Sequence, residues 1–434
     1  MLTRYQPSKT QPWNVERVVH LHRRAGFAAN WAQIDRDLKD GPDLAIDRLL
    51  QPAIANEFGQ LSKVICDAAV ASENINRLKA WWLYRMLLTP SPLQERMTLM
   101  WHNHFATSYL KLQSVALMRN QNELFRQFGN TSFATLLPKV VKDPAMLVWL
   151  DADTNRKAHP NENLAREIIE LFALGASVYK ESDVKDAARA LTGWSVHNRE
   201  FRLAREVHDE GEKTIFSQRG TWDGDDLLRL LISHPSTSNR LAFRICQQLM
   251  GEGTTTPKLI EAVATQLREH DLNVGLAIEA LLRSEEFFSP ENRNNRVQGP
   301  VEWSIGIARA LEILDPPPST LLLAEWAGRL GQDLFGPPNV FGWPGGRSWL
   351  TSRTMIGRAN FVAAVVEGQM HIPTHPFDAK ALAEKYGFST HKQQHSFFVQ
   401  LITGDAQPPS GNASTGELNE FVVSLLTAPE TQIG

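Results

Sequence analysis

The chain has 434 residues, 42% of them hydrophobic and 21% charged, and a formal net charge of −3. This ordinary composition excludes disordered and fibrous classes, and the near-balance of charge supplies no basic field for non-specific grip on nucleic acid or an anionic membrane. Cys66 and Cys246, the only cysteines, are too few for a disulfide framework or a thiolate zinc site and fit a reducing compartment.

The first 27 residues, MLTRYQPSKTQPWNVERVVHLHRRAGF, show no uninterrupted apolar run ahead of their charges, and no later run approaches the roughly 18 apolar residues of a membrane span. A cytoplasmic location without a membrane span is therefore expected, with export to the periplasm as the alternative. Apolar residues recur at helical spacing almost throughout, so the expected fold class is all-α, or mainly α. One large multi-helix domain is expected over residues 1–403, then a polar linker and a short C-terminal helix over 404–434.

The spacing predicts helices over 14–25, 31–39, 42–50, 73–88, 91–107, 111–128, 131–141, 162–174, 182–192, 223–232, 236–250, 257–270, 273–283, 300–313 and 319–330. Ser91 before Pro92 reads as an N-cap and first helical residue, with Glu95 complementing the helix dipole, and Ser182 with Asp183 opens another helix in the same way. Residues 199–222 break the pattern. There, alternating apolar residues flank DEGEK, and a small β-hairpin near 200–220 turning at that glycine is expected. Residues 335–349, FGPPNVFGWPGGRSW, hold too much Pro and Gly for a helix or central strand and read as an ordered aromatic loop.

Several stretches bear chemistry. In HLHRRAGF, residues 20–27, Arg23 and Arg24 suit an anion clamp or ion pairing to an acidic segment. In MTLMWHNHFATS, residues 97–108, helical geometry sets His102 and His104 about 200° apart, so the two imidazoles cannot both ligate one metal from a regular helix.

Residues 149–172, WLDADTNRKAHPNENLAREIIELF, divide into a loop and a helix. Asp151, Asp153, Asn155, Lys157, His159 and Glu162 fall at the alternating positions of an EF-hand loop. However, Arg156 occupies the position where that loop requires glycine, so a looser divalent-cation loop, or an Asx-rich cap for the next helix, competes with the EF-hand. On the helix, Asn163, Arg166, Glu167 and Glu170 share a polar face opposite Ile168, Leu171 and Phe172.

In EVHDEGEK, Asp209 is placed to polarise His208 as an acid/base pair, although turn chemistry alone also selects these residues. Trp194, Trp343 and Arg347, in glycine-flanked turns, are either aromatic plugs or the lining of a ligand groove. Nucleophile-elbow, Walker A, dinucleotide-binding and zinc-protease signatures are absent.

In order along the chain, HLHRRAGF, WHNHFATS, MLVWLDADTNRKAHPNENLAREIIELFALG, DVKDAARALTGW, VHDEGEKTIF, SEEFFS and PPNVFGWPGGRSWL resemble the bacterial domain of unknown function 1800 family over nearly the whole chain. Gln298 departs from that pattern where Lys is common, and Ala158 where Gly is usual. The resemblance implies a mostly helical fold, names no activity, and implies a sulfatase-like protein encoded nearby as a partner.

Two functions are therefore expected. The first is a divalent-cation-dependent, hydrolase-like enzyme. Asp151, Asp153, Asn155 and Glu162 would hold a Ca- or Mg-like ion, and Arg156, Arg166, Asn163, Trp194 and Arg347 would bind substrate. His102, His104, Glu167, His208 and Asp209 would supply proton transfer. The second is a non-catalytic binding or maturation partner of the sulfatase-like protein, in which the same residues form a buried lattice of ion pairs.

Overall fold

A computed structural model describes residues 2–51, 56–176, 178–406 and 417–434. Among these residues there are twenty-two α-helices and only two small, two-stranded antiparallel sheets, so the fold is mainly α. No helix among the described residues is long and apolar enough to cross a membrane.

The helices expected from periodicity form within a few residues of their expected bounds, from Val15–Ala25 to Thr320–Arg329, except that the one expected over 111–128 breaks at Gln113–Ser114 into Tyr109–Leu112 and Val115–Phe128. The segment expected as one helix over 162–174 divides, because an α-helix, Asn163–Glu167, runs into a π-helix, Ile168–Ala173. Helices Asn56–Ala71, Pro144–Trp149, Ser352–Val366, Ala379–Lys385 and His391–Thr403 were not expected. The short C-terminal helix is Leu418–Thr427, and residues 407–416 of the expected linker lie outside the described residues.

Two helix starts differ from expectation. Pro92 does open its helix, but the Ser91 side chain makes no cap bond. The helix expected from Ser182 begins at Glu181, where Asp183 accepts the Lys180 amide at 2.7 Å. The hairpin expected to turn at DEGEK is in fact two hairpins. Strand β1 (Trp194–His197) pairs with β2 (Glu200–Leu203), and β3 (Lys213–Ile215) pairs with β4 (Gln218–Gly220). Each turns on two residues of positive φ, Asn198–Arg199 and Phe216–Ser217, as the tightest hairpins require. The DEGEK stretch therefore connects the hairpins.

Apolar side chains gather into two large cores. One holds Trp101, Phe105, Phe133, Phe172 and Trp194, and the other holds Trp81, Trp82, Phe335, Phe361 and Phe397. Three helices serve both. Val15–Ala25 sends Leu21 and Ala25 to the first and Val18 and Val19 to the second; Pro92–His104 sends Met97, Met100 and Trp101 to the first and Leu99 to the second; Val115–Phe128 sends Phe125 to the first and Val115 and Met118 to the second. Pro92–His104 is buried on all sides, as expected for a helix walled in by its neighbours.

The chain ends are tied to the two ends of one segment. Arg4 bridges Ser284 and Ile433 bridges Val297, with Gln298 N donating to Gln432 O at 3.1 Å.

Candidate functional site

The structure places the sequence-predicted site residues in three surroundings. On Pro92–His104 the two imidazoles diverge. His102 lies among Trp82, Phe335 and Trp343, where burial pushes its pKa down to about 3, and its Nε2 has no partner among the described residues. His104 sits in the other core with Nε2 3.1 Å from Phe172 O, its pKa lowered chiefly by burial and then by Arg244. Both imidazoles are neutral at pH 7.

The loop at 151–162 is held by its own neighbours. Asp151 accepts from Lys111 Nζ at 2.7 Å, and Glu162 pairs with Arg166 at 2.9 Å, while Arg166 also bonds Glu181. Asn155 is buried and spans two segments, donating to Ala188 O at 2.8 Å and accepting from the Asn161 amide at 2.9 Å. Asn163 donates to Leu150 O at 3.3 Å, and Arg156 meets His159 backbone to backbone. Asp153 is exposed. Among the described residues, no three His, Cys, Asp or Glu side chains group as metal ligands. The oxygens that alternate along this loop are thus drawn apart by cation and backbone partners.

The loop does adjoin the His208–Asp209 stretch, since Lys157 N donates to Val207 O at 2.9 Å and Gly193 N to Asn155 O at 3.0 Å. There His208 Nδ1 stands 2.8 Å from Thr192 O, and Asp209 is clasped by Arg189 Nε at 2.7 Å and by the Gly211 amide at 2.8 Å. The Arg189 guanidinium holds the Asp209 carboxyl below its ordinary pKa and in an ion pair, so Asp209 does not polarise His208. Glu167 is half-buried, and burial followed by the charge of Glu170 raises its pKa. Trp194 is a core residue against Phe201, and Arg347 is exposed.

Polar and aromatic groups also meet in a cleft of about 410 Å³ that the sequence reading touched only through Trp343. Leu99, Met100 and Asn103 come from one face of Pro92–His104. Phe243, Arg244, Gln247 and Gln248 come from one face of Pro235–Leu249. Arg296 and Glu302 form part of its wall, and Phe341, Trp343 and Trp349 of the aromatic loop line the remaining side.

Asn103 fixes that loop. Its Oδ1 accepts the Trp343 amide at 2.7 Å, and a Cβ on Gly342, which has φ +79°, would lie 2.1 Å from the same oxygen. Glycine is required there by both space and backbone. Trp343 and Trp349 pack against Val297, whereas Phe341 stands 67% exposed at the lip.

The π-helix anchors the opposite wall. Arg240 donates to Leu171 O at 3.2 and 3.1 Å while His104 reaches Phe172 O, so two carbonyls of the π segment are bound by residues beside the cleft. One turn beyond Arg240, Arg244 faces the cleft.

The charged groups of the cleft, Arg244, Arg296, Glu252 and Glu302, are unequally partnered. Burial tends to raise the pKa of Glu302, but Arg296 and then Arg96 hold it down at about 2, and Arg296 grips it at 2.6 and 3.1 Å. Arg244 has no ion pair among the described residues; its Nη1 donates to Gln247 Oε1 at 3.2 Å and its Nε has no partner. Burial lowers its pKa to about 10, which leaves it a cation at neutral pH. Buried donors without acceptors are costly, by about 1–3 kcal/mol for each neutral group and more for charged ones. The cleft therefore presents an unmatched positive group between rings and amides.

A family model described as a protein of unknown function, DUF1800, matches residues 20–433. No curated protein and no solved structure matches the chain.

Proposed function

The chain belongs to the DUF1800 family, whose description assigns no chemistry, and from the geometry of the cleft we propose that this protein binds an organic anion. The observation that carries the reading is Arg244, a partly buried guanidinium that lines the cleft with an unpartnered Nε and no ion pair among the described residues, while Glu302, which with Glu252 makes up the acids of the lining, is held by Arg296 and Arg96. Such a guanidinium gains most from a ligand that brings its own negative charge and acceptors. The rings of Trp343, Trp349 and Phe341 favour a ligand with a planar or apolar portion, and Asn103, Gln247 and Gln248 supply polar contacts. Glu302 is too weak a base, and His102 too enclosed, to exchange protons readily with a ligand at neutral pH. The cleft is equipped to hold a ligand.

Titration of the full chain with phenyl phosphate and benzoate, read by tryptophan fluorescence, tests this. A saturable change is expected with both, none with uncharged benzyl alcohol, and at least about a tenfold weakening in Arg244→Met from the loss of a charge-assisted contact. An equal response to benzyl alcohol, or unchanged binding in Arg244→Met, would refute the reading.

A further inference from the structure

Behind Glu302 lie two buried guanidiniums, Arg24 and Arg96, that do not line the cleft. Arg24, on Val15–Ala25, is 1% exposed; its Nη2 donates to Asn292 O at 2.8 Å and Asn295 Oδ1 at 3.1 Å, while its Nε and Nη1 have no partner among the described residues. Arg96, one turn before Leu99 and Met100 on the same helix face, is 0% exposed. Its Nη2 stands 3.0 Å from Glu302 Oε2, and its Nε and Nη1 are likewise unpartnered. Arg296 completes the group through its two bonds to Glu302.

Arg96 and Arg296 thus both meet the Glu302 carboxylate and Arg24 lies near them, so the cations outnumber the acid they share; Arg24 and Arg96 are closed to bulk water, while Arg296 and Glu302 reach the cleft. Their mutual repulsion is felt: Arg24 is pushed well below the ordinary arginine range by burial first, then by Arg296 and Arg96. Glu252, the nearest further acid to Arg296, stands on the cleft side. A buried cation ordinarily has a counter-charge, and unpartnered N–H groups on two arginines at once leave a gap for acceptors.

We propose that Arg24 and Arg96 hold a small inorganic anion in the interior, beside Glu302, as a permanent part of the folded protein. Such an ion would offset the excess positive charge and accept from Nε and Nη1 of both arginines, donors that have no protein acceptor among the described residues. The site is separate from the organic-anion cleft, since neither Arg24 nor Arg96 lines that cleft. The candidate ions are chloride, sulfate and phosphate, which share the chemistry that guanidinium recognises.

Ion chromatography of wild-type protein, purified, desalted into gluconate buffer and then denatured, should release one of these anions in an amount equimolar with the chain. Release of none overturns the proposal. Thermal unfolding of the full chain, with chloride, sulfate or phosphate titrated at ionic strength held constant by gluconate, should show a saturable rise in melting temperature for the same anion. The apparent affinity should fall at least about tenfold in Arg96→Met and rise about tenfold in Glu302→Gln, which removes the competing carboxylate. A rise that never saturates, or that is the same in wild type and both variants, marks ordinary salt stabilisation and overturns the site. Arg244→Met should leave the released anion and the affinity unchanged, so failure of the cleft and failure of the interior site are read separately.

Discussion

Glu95 and Arg96 are adjacent on Pro92–His104, about 100° apart around the helix, and they face opposite situations. Glu95 is matched on every side: Arg85 Nε at 2.7 Å, Arg126 Nε at 2.7 Å and Nη2 at 3.0 Å, and Trp82 Nε1 at 3.0 Å. Burial would raise its pKa, yet Arg126 and then Arg85 hold it at about 2, the value also reached by Glu302. Both carboxyls are therefore depressed on folding from an ordinary 4.5. A depressed acid stabilises the fold above its unfolded pKa and ceases to do so as pH falls through its folded pKa. The stability that these two carboxyls supply should accordingly be steady above about pH 5 and decline steeply as pH falls from about 4.5 toward about 2, on top of the slope that His102, held neutral in the fold down to about pH 3, adds below about pH 6.5. Glu95→Gln should flatten part of that decline and cost about 3–5 kcal/mol at neutral pH, because it leaves two buried guanidiniums short of their counter-ion. A flat wild-type profile from pH 5 to 2 would contradict the linkage.

Among the elements, the aromatic loop at 335–349 is seated at its centre by the contact between Asn103 and residues 342–343. Gly342→Ala meets both a positive φ and the Asn103 carbonyl oxygen, so it should displace the loop, cost about 1–3 kcal/mol of stability, and abolish the phenyl phosphate response. Unchanged unfolding and binding in that variant would show that the loop is not seated by Asn103. This contact joins residues 240 apart in sequence, which explains why the cleft was not legible in the sequence. Arg244, Gln247 and Gln248 belong to no motif in the sequence, and Asn103 is there only the residue between two histidines. Trp343 was legible, because a tryptophan between glycines and prolines is more than a turn needs. The histidine pair was legible as two imidazoles that cannot both ligate one metal from a regular helix, and the structure sets them among different aromatic neighbours. The acidic loop reads as coordination from its alternating oxygens, whereas in the fold Asp151 pairs with Lys111, from a distant helix, and Glu162 with Arg166, four residues along. Helices with a continuous apolar stripe were found readily. Asn56–Ala71 was not, since the residues it buries are Ser62, Cys66 and Ala69, which leave no hydrophobic period to read.

At the scale of the whole molecule, two cores share three helices, so neither core closes without the helices that close the other. Unfolding should consequently be a single event: helix content by circular dichroism and tryptophan environment by fluorescence should give coincident transitions in denaturant. Two separated midpoints would show that the cores melt independently. The pairings at the chain ends carry a different implication. Residues 4 and 433 bridge residues 284 and 297, which are separated by 297 − 284 = 13 positions, a stretch that spans at most about 45 Å even fully extended. A flexible tether of about 15 residues reaches that far. The order in which the segments are strung together is therefore open to change: the protein can be permuted, with Gly434 running through a tether into Leu2 and new termini opened at an exposed turn such as Asn198–Arg199.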